Sequence, residues 1–353
     1  MATTQNSTKK SLIPNHMQAW LSKQWQTFGL AQVLLLPLAG LFALLSAIRR
    51  GLYARGILAS HKLAVPVIVV GNISVGGTGK TPLVIYLAKQ LKLAGFTPGI
   101  ISRGYGGNSK GEVTTNSNPA NVGDEPVLIA QRSGCAVWVD ANRVAAGRAL
   151  LQAHPECNVI ISDDGLQHYA LRREVEIAVV HARRSFGNQL LLPAGPLRER
   201  ISRLQTVDAI VDGGTDLAFD FYVRGGLPPV FAMGLQGDVF ERLNDATCQP
   251  ASYFADKNLV AIAGIGNPQR FFDYLTDLGL QFEAVSFEDH HAFTAQDFAK
   301  FVNKTLIMTE KDAVKCKGFN LADAWCLPVS AKIENSQNKQ TLMDVILAKI
   351  RLK

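Results

Sequence analysis

The sequence predicts an α/β protein with a mostly parallel sheet covered by helices on both faces. Short apolar runs that are typical of buried strands alternate with amphipathic helical patterns from residue 65 onward. Such alternation is typical of parallel sheets, whose functional side chains follow the carboxyl ends of the strands. With 353 residues, 47% of them hydrophobic and 18% charged, the chain is long enough for two folded domains.

The strand and helix patterns fall into two groups. The first group contains candidate strands at 65–70, 98–102, 135–139, 158–162, 175–180 and 207–211. Glycine and proline pairs then occupy residues 213–229, and we expect short strands at 219–223 and 230–243. The second group has candidate strands at 258–263, 281–287 and 304–309, with helices at 269–278 and 294–303. We therefore expect an N-terminal segment at 1–61, a main α/β domain at 62–214, a linker with a β-ribbon at 215–255 and a smaller C-terminal α/β lobe at 256–353.

The N-terminal third is basic and apolar. Residues 30–48 carry no charge, three arginines follow them, and twelve Lys or Arg precede the first acid, Glu112. Nineteen uncharged residues approach the length that crosses a bilayer, and cations favour anionic lipids. We predict a membrane-associated helix that spans the bilayer or lies in its interface; a buried core helix is the alternative.

No nucleic-acid partner is expected, because no known binding module accompanies the basic charge. The cysteines predict neither a zinc site nor a disulfide framework. Their number is odd and they are widely spaced, without a Cys-x-x-Cys motif, so we expect reduced thiols. They are Cys135, Cys157, Cys248, Cys316 and Cys326.

The first candidate strand runs into a glycine-rich loop that ends in Gly-Lys-Thr and is followed by a helical pattern at 82–91. The loop residues are Ser74, Val75, Gly76, Gly77, Thr78, Gly79, Lys80 and Thr81. Strand, loop and helix in this order predict a phosphate-binding P-loop, although Ser74 replaces the first consensus glycine; a plain glycine turn is the alternative. Backbone N–H groups would hold the phosphates of ATP, Lys80 would reach the β- and γ-phosphates, and Thr81 would bind Mg²⁺.

A pair of acids ends the strand at 158–162. A P-loop enzyme needs a carboxylate at such a position to hold Mg²⁺, so Asp163 and Asp164 are candidate metal-side residues; an Asp-Asp-Gly turn is the alternative. His168 follows four residues later and either faces the same cleft or lies at the surface.

Two further motifs that contain acidic residues have two interpretations each. Asp124 and Glu125 begin a helical pattern, where they either cap the helix or place an acid near the γ-phosphate. His290, preceded by Asp289, is either a carboxylate-held proton acceptor or part of an exposed loop.

Candidate anion contacts follow two other motifs. Arg103 follows the strand at 98–102, and either contacts phosphate or substrate or forms a surface ion pair. Arg198 follows a proline-rich turn and is suited to bind an anion, whereas Glu199 is suited to hold a basic or polar partner.

Taken together, these motifs resemble the tetraacyldisaccharide 4′-kinases, the lipid A 4′-kinases of the Gram-negative envelope. The resemblance covers most of the chain after about residue 60. It rests on residues 70–82, 102–105, 123–126, 163–168, 192–199, 289–290 and 309–312. It implies a P-loop NTPase-like fold with a smaller C-terminal lobe, and transfer of the γ-phosphate of ATP to the 4′-hydroxyl of an acylated glucosamine disaccharide.

The resemblance also implies site roles and partners. Asp124 and His290 would be an acid–histidine pair that activates the sugar hydroxyl, with Lys80 as a further catalytic residue. Asp163 and Asp164 would organise Mg²⁺, Arg198 and Glu199 would lie near the nucleotide, and Glu125, His168 and Arg103 would complete the active-site shell. The expected partners are the lipid disaccharide and the cytoplasmic face of the inner membrane, and we expect a monomer.

Other function classes fit the sequence less well. Partition-type and metal-cluster-carrier ATPases carry a second lysine before the glycine pair, where this chain has Val75. A guanine-nucleotide switch would need Asn-Lys-x-Asp, which is absent from the sequence. A non-enzymatic membrane adaptor would not need Lys80 together with the two acids.

Overall fold

The computed structural model describes residues 24–107, 109–181, 186–214, 226–336 and 338–351. Its helices and strands alternate as predicted. The strands are β1 Val67–Gly71, β2 Pro98–Ser102, β3 Gly111–Val113, β4 Ala136–Val139, β5 Val159–Asp163, β6 Val175–Val180, β7 Ala209–Asp212, β8 Val230–Gln236, β9 Val239–Arg242, β10 Cys248–Pro250, β11 Leu259–Ala263, β12 Phe282–Ser286, β13 Thr305–Thr309, β14 Ala324–Leu327 and β15 Ser330–Ile333. The α-helices are α1 Leu30–Ala54, α2 Lys80–Leu93, α3 Pro119–Val122, α4 Asp124–Ser133, α5 Arg143–Ala153, α6 Pro268–Asp277, α7 Ala295–Phe298, α8 Glu310–Cys316 and α9 Leu342–Ile350.

The first sheet has nine strands in the order β15-β8-β7-β6-β1-β5-β2-β4-β3. The seven strands from β8 to β4 are parallel, and the antiparallel β15 and β3 close the two edges. Buried apolar clusters lie on both faces, one packed with α2, α4 and α9 and the other with α5. The predicted parallel sheet with helices on both faces is confirmed, and β1 and β5 are neighbours at its centre.

The second sheet has six strands in the order β10-β9-β14-β13-β11-β12. Strands β12, β11, β13 and β14 are parallel, and β9 and β10 extend the sheet in antiparallel fashion. Apolar clusters again cover both faces, with Phe271 and Phe272 of α6 on one face and Phe298 and Phe301 on the other. The smaller α/β lobe is therefore confirmed.

Some elements differ from the sequence predictions. The run at 230–243 forms β8 in the first sheet and β9 in the second, so this segment passes between the sheets. The helix expected at 294–303 is α7 followed by a 3₁₀ turn at Ala299–Phe301. Strands β3, β10, β14 and β15 were not predicted, because they are three- or four-residue segments without a long apolar run. The strand expected at 219–223 lies outside the described residues.

The two sheets do not divide the chain at one point. Strand β8, from the predicted linker, and β15 and α9, from the predicted C-terminal lobe, all belong to the first sheet and its helical layer. The predicted domain boundaries stay a prediction, but the C-terminal residues return to the first sheet. The physical reason is the apolar face of α9, which buries Leu342, Val345 and Ile346 against it.

The N-terminal apolar run forms α1, a helix of 25 residues with Pro37 inside it. By length and composition it is able to cross a membrane, with a mean hydropathy of 2.2 over its most apolar window, only 11% of which is buried. Leu34 and Leu44 are 71% and 57% exposed. The alternative of a buried core helix is therefore wrong for this segment, whereas spanning and interfacial binding both stay open.

We expect Ile346→Ala to destabilise the first sheet although residue 346 lies near the end of the chain. Ile346 is fully buried, and truncating such a side chain costs about 2–4 kcal/mol. The check is the unfolding midpoint in denaturant or heat. The matched control is Val302→Ala, at a position that is 77% exposed, where we expect a change below about 0.5 kcal/mol. Equal effects of the two substitutions would contradict the packing of α9 on this core.

Candidate active site

The glycine-rich loop lies between β1 and α2, at the carboxyl end of a central strand. Gly79 precedes the first residue of α2 and adopts φ +89°, and Gly76 adopts φ +107°. These values favour glycine, and a Cβ on Gly79 would lie 2.9 Å from Cε of Met233. Lys80 and Thr81 are then the first residues of α2, so both stand at the helix N-terminus where anions bind.

The proline-rich segment at 192–199 forms backbone hydrogen bonds with the loop and with the residue before it. The Val75 N–H donates to the Pro196 carbonyl over 2.9 Å, and the Arg198 N–H donates to the Ile73 carbonyl over 2.7 Å. Inside the loop, the buried Asn72 side chain donates to the Gly76 carbonyl over 3.4 Å. The glycine turn therefore has fixed partners on both sides, as a rigid phosphate cradle requires.

Glu199 lies beneath this loop and contacts protein groups. Its carboxylate accepts hydrogen bonds from Gln167, over 2.9 Å, and from the Tyr169 hydroxyl. Gln167 also donates to the Asn72 carbonyl over 3.0 Å, and the Arg203 guanidinium lies 3.9 Å from Glu199. The carboxylate thus supports the loop from its buried side, and its expected place near the nucleotide stays a prediction.

Asp164 joins the loop lysine to the proline-rich segment. Its carboxylate lies 3.4 Å from Nζ of Lys80 and 3.1 Å from the Arg198 guanidinium. Burial alone would raise the pKa of Asp164, but the two cations lower it to about 2. Asp164 therefore carries a full negative charge at neutral pH, directly in front of Lys80.

The pKa of Asp163 is shifted in the opposite direction. The residue is buried at the end of β5, where the Ser102 hydroxyl donates to Oδ2 over 3.1 Å, while Oδ1 has no hydrogen-bond partner within the described part of the chain. Burial, followed by the charges of Glu125 and Asp164, raises the pKa of Asp163 to about 7. A buried carboxylate oxygen without a partner is well suited to a cation or to a water molecule bound to one.

The oxygen donors at this point fit Mg²⁺. Asp163 ends β5, Asp164 follows it, and Thr81 is the second residue of α2, which comes after the neighbouring strand β1. Mg²⁺ is usually held by one or two carboxylates together with phosphates and water. Among the described residues, no group of three or more His, Cys, Asp or Glu side chains is arranged to hold a metal by itself. The set is therefore of the kind that is completed by a nucleotide, rather than a preformed metal cage.

Asp124 and His290 meet across the two sheets. Asp124 is the first residue of α4, and His290 lies in the loop after β12 with φ +60°. Nδ1 of His290 lies 3.1 Å from Oδ2 of Asp124, whose side chain is only 5% exposed. This contact agrees with the interpretation of the two residues as an acid–histidine pair, while Oδ1 of Asp124 also accepts a hydrogen bond from the Glu125 N–H over 2.8 Å at the start of α4.

The two groups shift each other's protonation. Burial would raise the pKa of Asp124, but the hydrogen bond from His290 and the charge of Lys311 lower it. Burial would lower the pKa of His290, but the hydrogen bond to Asp124 raises it. Asp124 is therefore charged at neutral pH, and the imidazole is held against a carboxylate that stabilises a proton arriving on the ring.

Lys311 is a site residue to which sequence reasoning gave no role. From the start of α8 its Nζ lies 3.1 Å from Glu125, 3.5 Å from Asp289 and 3.4 Å from Nε2 of His290. The sequence did contain a signal: residues 310–312 directly follow a strand, at the sheet edge where ligand sites form.

His168 and Arg103 have different surroundings. Burial, followed by the charges of Arg143 and Arg173, lowers the pKa of His168 to about 4, so its ring is neutral at pH 7. Arg103 is exposed at the end of β2. Their places in the active-site shell stay a prediction.

A comparison with known sequences and structures identifies the family of this chain. The sequence model of the tetraacyldisaccharide-1-P 4′-kinase family matches residues 31–348. The tetraacyldisaccharide 4′-kinase of Aromatoleum aromaticum is 53% identical over 312 residues, which are 88% of this chain and 92% of that protein. The enzyme of the same name from Methylobacillus flagellatus is 48% identical over 333 residues, with 94% and 96% covered.

A solved structure agrees with the sequence relatives. LpxK from Aquifex aeolicus, determined in complex with ATP, superimposes with a TM-score of 0.75 at 30% identity and covers 91% of this chain and 100% of that one. The P-loop at β1, the acids after β5 and the Asp124–His290 contact therefore occur in a chain that belongs to the tetraacyldisaccharide-1-P 4′-kinase family.

Proposed function

We propose that this protein transfers the γ-phosphate of ATP to the 4′-hydroxyl of a tetraacylated glucosamine disaccharide lipid, the phosphorylation step of lipid A biosynthesis. The observation that carries the proposal is the close approach of the P-loop and the second sheet. A Cβ on Gly266, after β11, would lie 3.6 Å from the backbone N of Gly77 in the P-loop, and Nδ1 of His290 lies 3.1 Å from Oδ2 of Asp124. The P-loop would bind ATP, and the Asp124–His290 pair would take the proton of the sugar hydroxyl.

The chain's own residues have complementary roles in this reaction. The P-loop backbone and Lys80 hold the triphosphate, so that the γ-phosphorus faces the sugar hydroxyl in line with the leaving oxygen. As the new O–P bond forms and the bond to the ADP oxygen breaks, Nε2 of His290 takes the hydroxyl proton. Asp124 accepts a hydrogen bond from the Nδ1–H group and stabilises the positive charge of the imidazolium.

We further propose that Thr81, Asp163 and Asp164 hold Mg²⁺ with the nucleotide. When bound, the ion neutralises charge on the β- and γ-phosphates. The pKa of Asp163, raised to about 7, supports this role, because a nearby cation would convert the carboxyl group to its charged form.

The lipid acceptor requires the site to lie near a bilayer. We propose that α1 places it at the cytoplasmic face of the inner membrane, since the exposed leucines of this helix would enter the lipid and Arg49 and Arg50 would meet anionic headgroups. A cleft between the end of α1 and the body is lined by four cations and two acids, and this excess of positive charge supports an anionic partner; they are Arg50, Lys62, Arg172, Arg173, Glu174 and Glu176. One chain supplies every site residue, so a monomer suffices.

We expect detergent-purified protein to phosphorylate the lipid disaccharide with ATP and Mg²⁺, and Lys80→Ala to lower this transfer by about 10²-fold or more. The lysine of a P-loop reaches the β- and γ-phosphates and stabilises the charge that develops there during transfer, and here it is held by Asp164. The measurement is transfer of labelled phosphate to extracted lipid. The control is Lys89→Ala, in the same helix. Undiminished transfer by Lys80→Ala would contradict the P-loop assignment.

We expect Asp124→Asn and His290→Gln to lower kcat by about 10²–10⁴-fold while the KM for ATP changes little, because both act on the acceptor hydroxyl. Steady-state kinetics at several ATP concentrations separate the two parameters. His291→Gln is the matched control, since His291 lies beside His290 but contacts Asp297 at 3.3 Å. Wild-type turnover in both test variants would show that this pair is not the base.

We expect Leu34→Glu combined with Leu41→Glu to release the protein from vesicles that contain anionic lipid. Both leucines are more than half exposed on α1, and a charge on this face opposes insertion. Co-sedimentation with vesicles is the measurement, and Leu93→Glu, at an 81% exposed position of the body, is the control. Unchanged sedimentation of the double variant would place membrane binding elsewhere.

A further inference from the structure

We propose that Arg132 and Glu310 are positioning residues: their ion pair sets the register in which the second sheet meets the first, and thereby holds His290 against Asp124. The inference rests on the proposed function and concerns two residues to which that function gives no part. Nη1 of Arg132 lies 2.5 Å from Oε1 of Glu310, and the two side chains are only 23% and 11% exposed.

The ion pair joins the helical layers of the two sheets. Arg132 lies in the last turn of α4, which packs in the core of the first sheet. Glu310 begins α8, which places Ala313 in the core of the second sheet and Val314 in that of the first. Apolar contacts have little directional preference, whereas complementary charges fix a register. The charges therefore decide how α8 is turned on α4.

Two polar contacts fix the rotation of α8 relative to α4. Glu310 meets Arg132, and the next residue, Lys311, places Nζ 3.1 Å from Oε1 of Glu125. Glu125 and Arg132 are seven positions apart on α4, which is about two turns or about 10 Å. Either contact alone would let α8 pivot about it, whereas the two together prevent the pivot.

The loop that carries the histidine is tied to the same helix. Nζ of Lys311 lies 3.5 Å from Oδ1 of Asp289, the residue before His290, whose Nδ1 lies 3.1 Å from Oδ2 of Asp124. A rotation of α8 about its contact with Glu125 would carry this ring away from the carboxylate. A displacement of about 1 Å in a positioned group is enough to cost about 100-fold in rate.

The ion pair also lies where the chain crosses between the sheets. Strand β14 of the second sheet ends at Leu327, and β15 of the first sheet begins at Ser330. Oε2 of Glu310 accepts a hydrogen bond from the Val329 N–H over 2.9 Å, and Nη2 of Arg132 lies 3.5 Å from Oγ of Ser330. A change in the angle between the sheets would lengthen these contacts, so the pair opposes it.

The test is a double-mutant cycle in kcat with Arg132→Met, Glu310→Gln and the double variant. Glu310→Gln removes the charge but keeps an oxygen that accepts the Val329 N–H. Burial already raises the pKa of Glu310, so in Arg132→Met the carboxyl group takes up a proton instead of remaining an unpaired buried charge.

We expect each single variant to lower kcat about tenfold while the KM for ATP stays within about twofold, because the P-loop belongs to the first sheet alone. The double variant should lose no more than the single variants, because the pair is already broken in each of them. Wild-type kcat in the single variants, or losses that multiply in the double variant, would overturn the proposal.

Two further variants separate the ion pair from a general loss of stability. Arg132→Lys keeps the cation and should have a kcat between those of wild type and Arg132→Met. The matched control is Lys304→Met, which breaks a pair with Glu283 at 2.6 Å whose two members belong to the second sheet, and which should keep wild-type kcat. Unfolding midpoints show that each variant is folded at the assay temperature.

The groups that face His290 give the sign of a second readout. Asp124 on α4 and Asp289 on the same loop raise the pKa of His290, whereas burial and Lys311 on α8 lower it, and the net shift is upward. Tyr105, from the loop after β2, contributes a neutral ring at 5.4 Å between centroids. If the ring leaves Asp124, its pKa therefore falls toward the ordinary value of a histidine.

This readout needs no lipid substrate. Titration of ¹⁵N-labelled histidine, with His290→Gln used for assignment, follows the ring in wild type and in Arg132→Met. We expect a lower pKa of His290 in Arg132→Met, and an unchanged titration would overturn the proposal. If wild type transferred no phosphate to the lipid, the proposed function would fail, and this titration would still decide the role of the ion pair.

Discussion

The contact between Asp124 and His290 is the constraint on which the site depends. Each residue lies at the carboxyl edge of a different sheet, and each sheet alone offers an incomplete site. The first sheet presents the P-loop and the acids after β5, whereas the second presents the histidine and Lys311. Only when the two edges face each other does the proposed proton acceptor lie near the P-loop. The ion pairs between α4 and α8 make this arrangement specific, because their polarity is opposite at the two ends of α4.

Two neighbouring acids of the site differ in their surroundings. Asp163 and Asp164 are adjacent in sequence, yet Asp163 is buried with one oxygen that has no hydrogen-bond partner among the described residues, and Asp164 lies between Lys80 and Arg198. Their pKa values move in opposite directions, to about 7 and about 2. Asp164 therefore retains a fixed charge that positions Lys80, while the charge of Asp163 follows the cations placed near it. Asp163 is the last residue of β5 and Asp164 follows it with φ +49°, so the two side chains enter different surroundings and two like groups take two roles.

How much the sequence predicted depended on whether a feature was local. The P-loop follows from a strand, glycines and Gly-Lys-Thr within some twenty residues, and the fold class follows from periodicity. The Asp124–His290 contact joins residues 166 positions apart, so the residues themselves left two interpretations open and the family resemblance supplied the pairing. Lys311 was missed because its partners come from α4 and the loop after β12, and a lysine beside acids in sequence is typical of an ordinary solvated helix. The edge strand β15 was missed because its short segment becomes a strand only where β8 offers an edge.

The apolar helix α1 and the P-loop are joined by one network of polar contacts. Arg49 of α1 reaches the Gln167 carbonyl at 3.4 Å, and Arg50 lies 4.0 Å from Glu199. Gln167 in turn bonds both Glu199 and the Asn72 carbonyl at the start of the P-loop. Each arginine contact is long and partly exposed, so together they contribute little stability, on the order of 1 kcal/mol. Their effect is geometric: they tie the end of α1, whose exposed apolar face we propose enters the bilayer, to the base of the P-loop. In that proposed arrangement the orientation of α1 would determine which way the phosphate cradle faces, and a lipid acceptor in the same bilayer would meet it from a fixed direction.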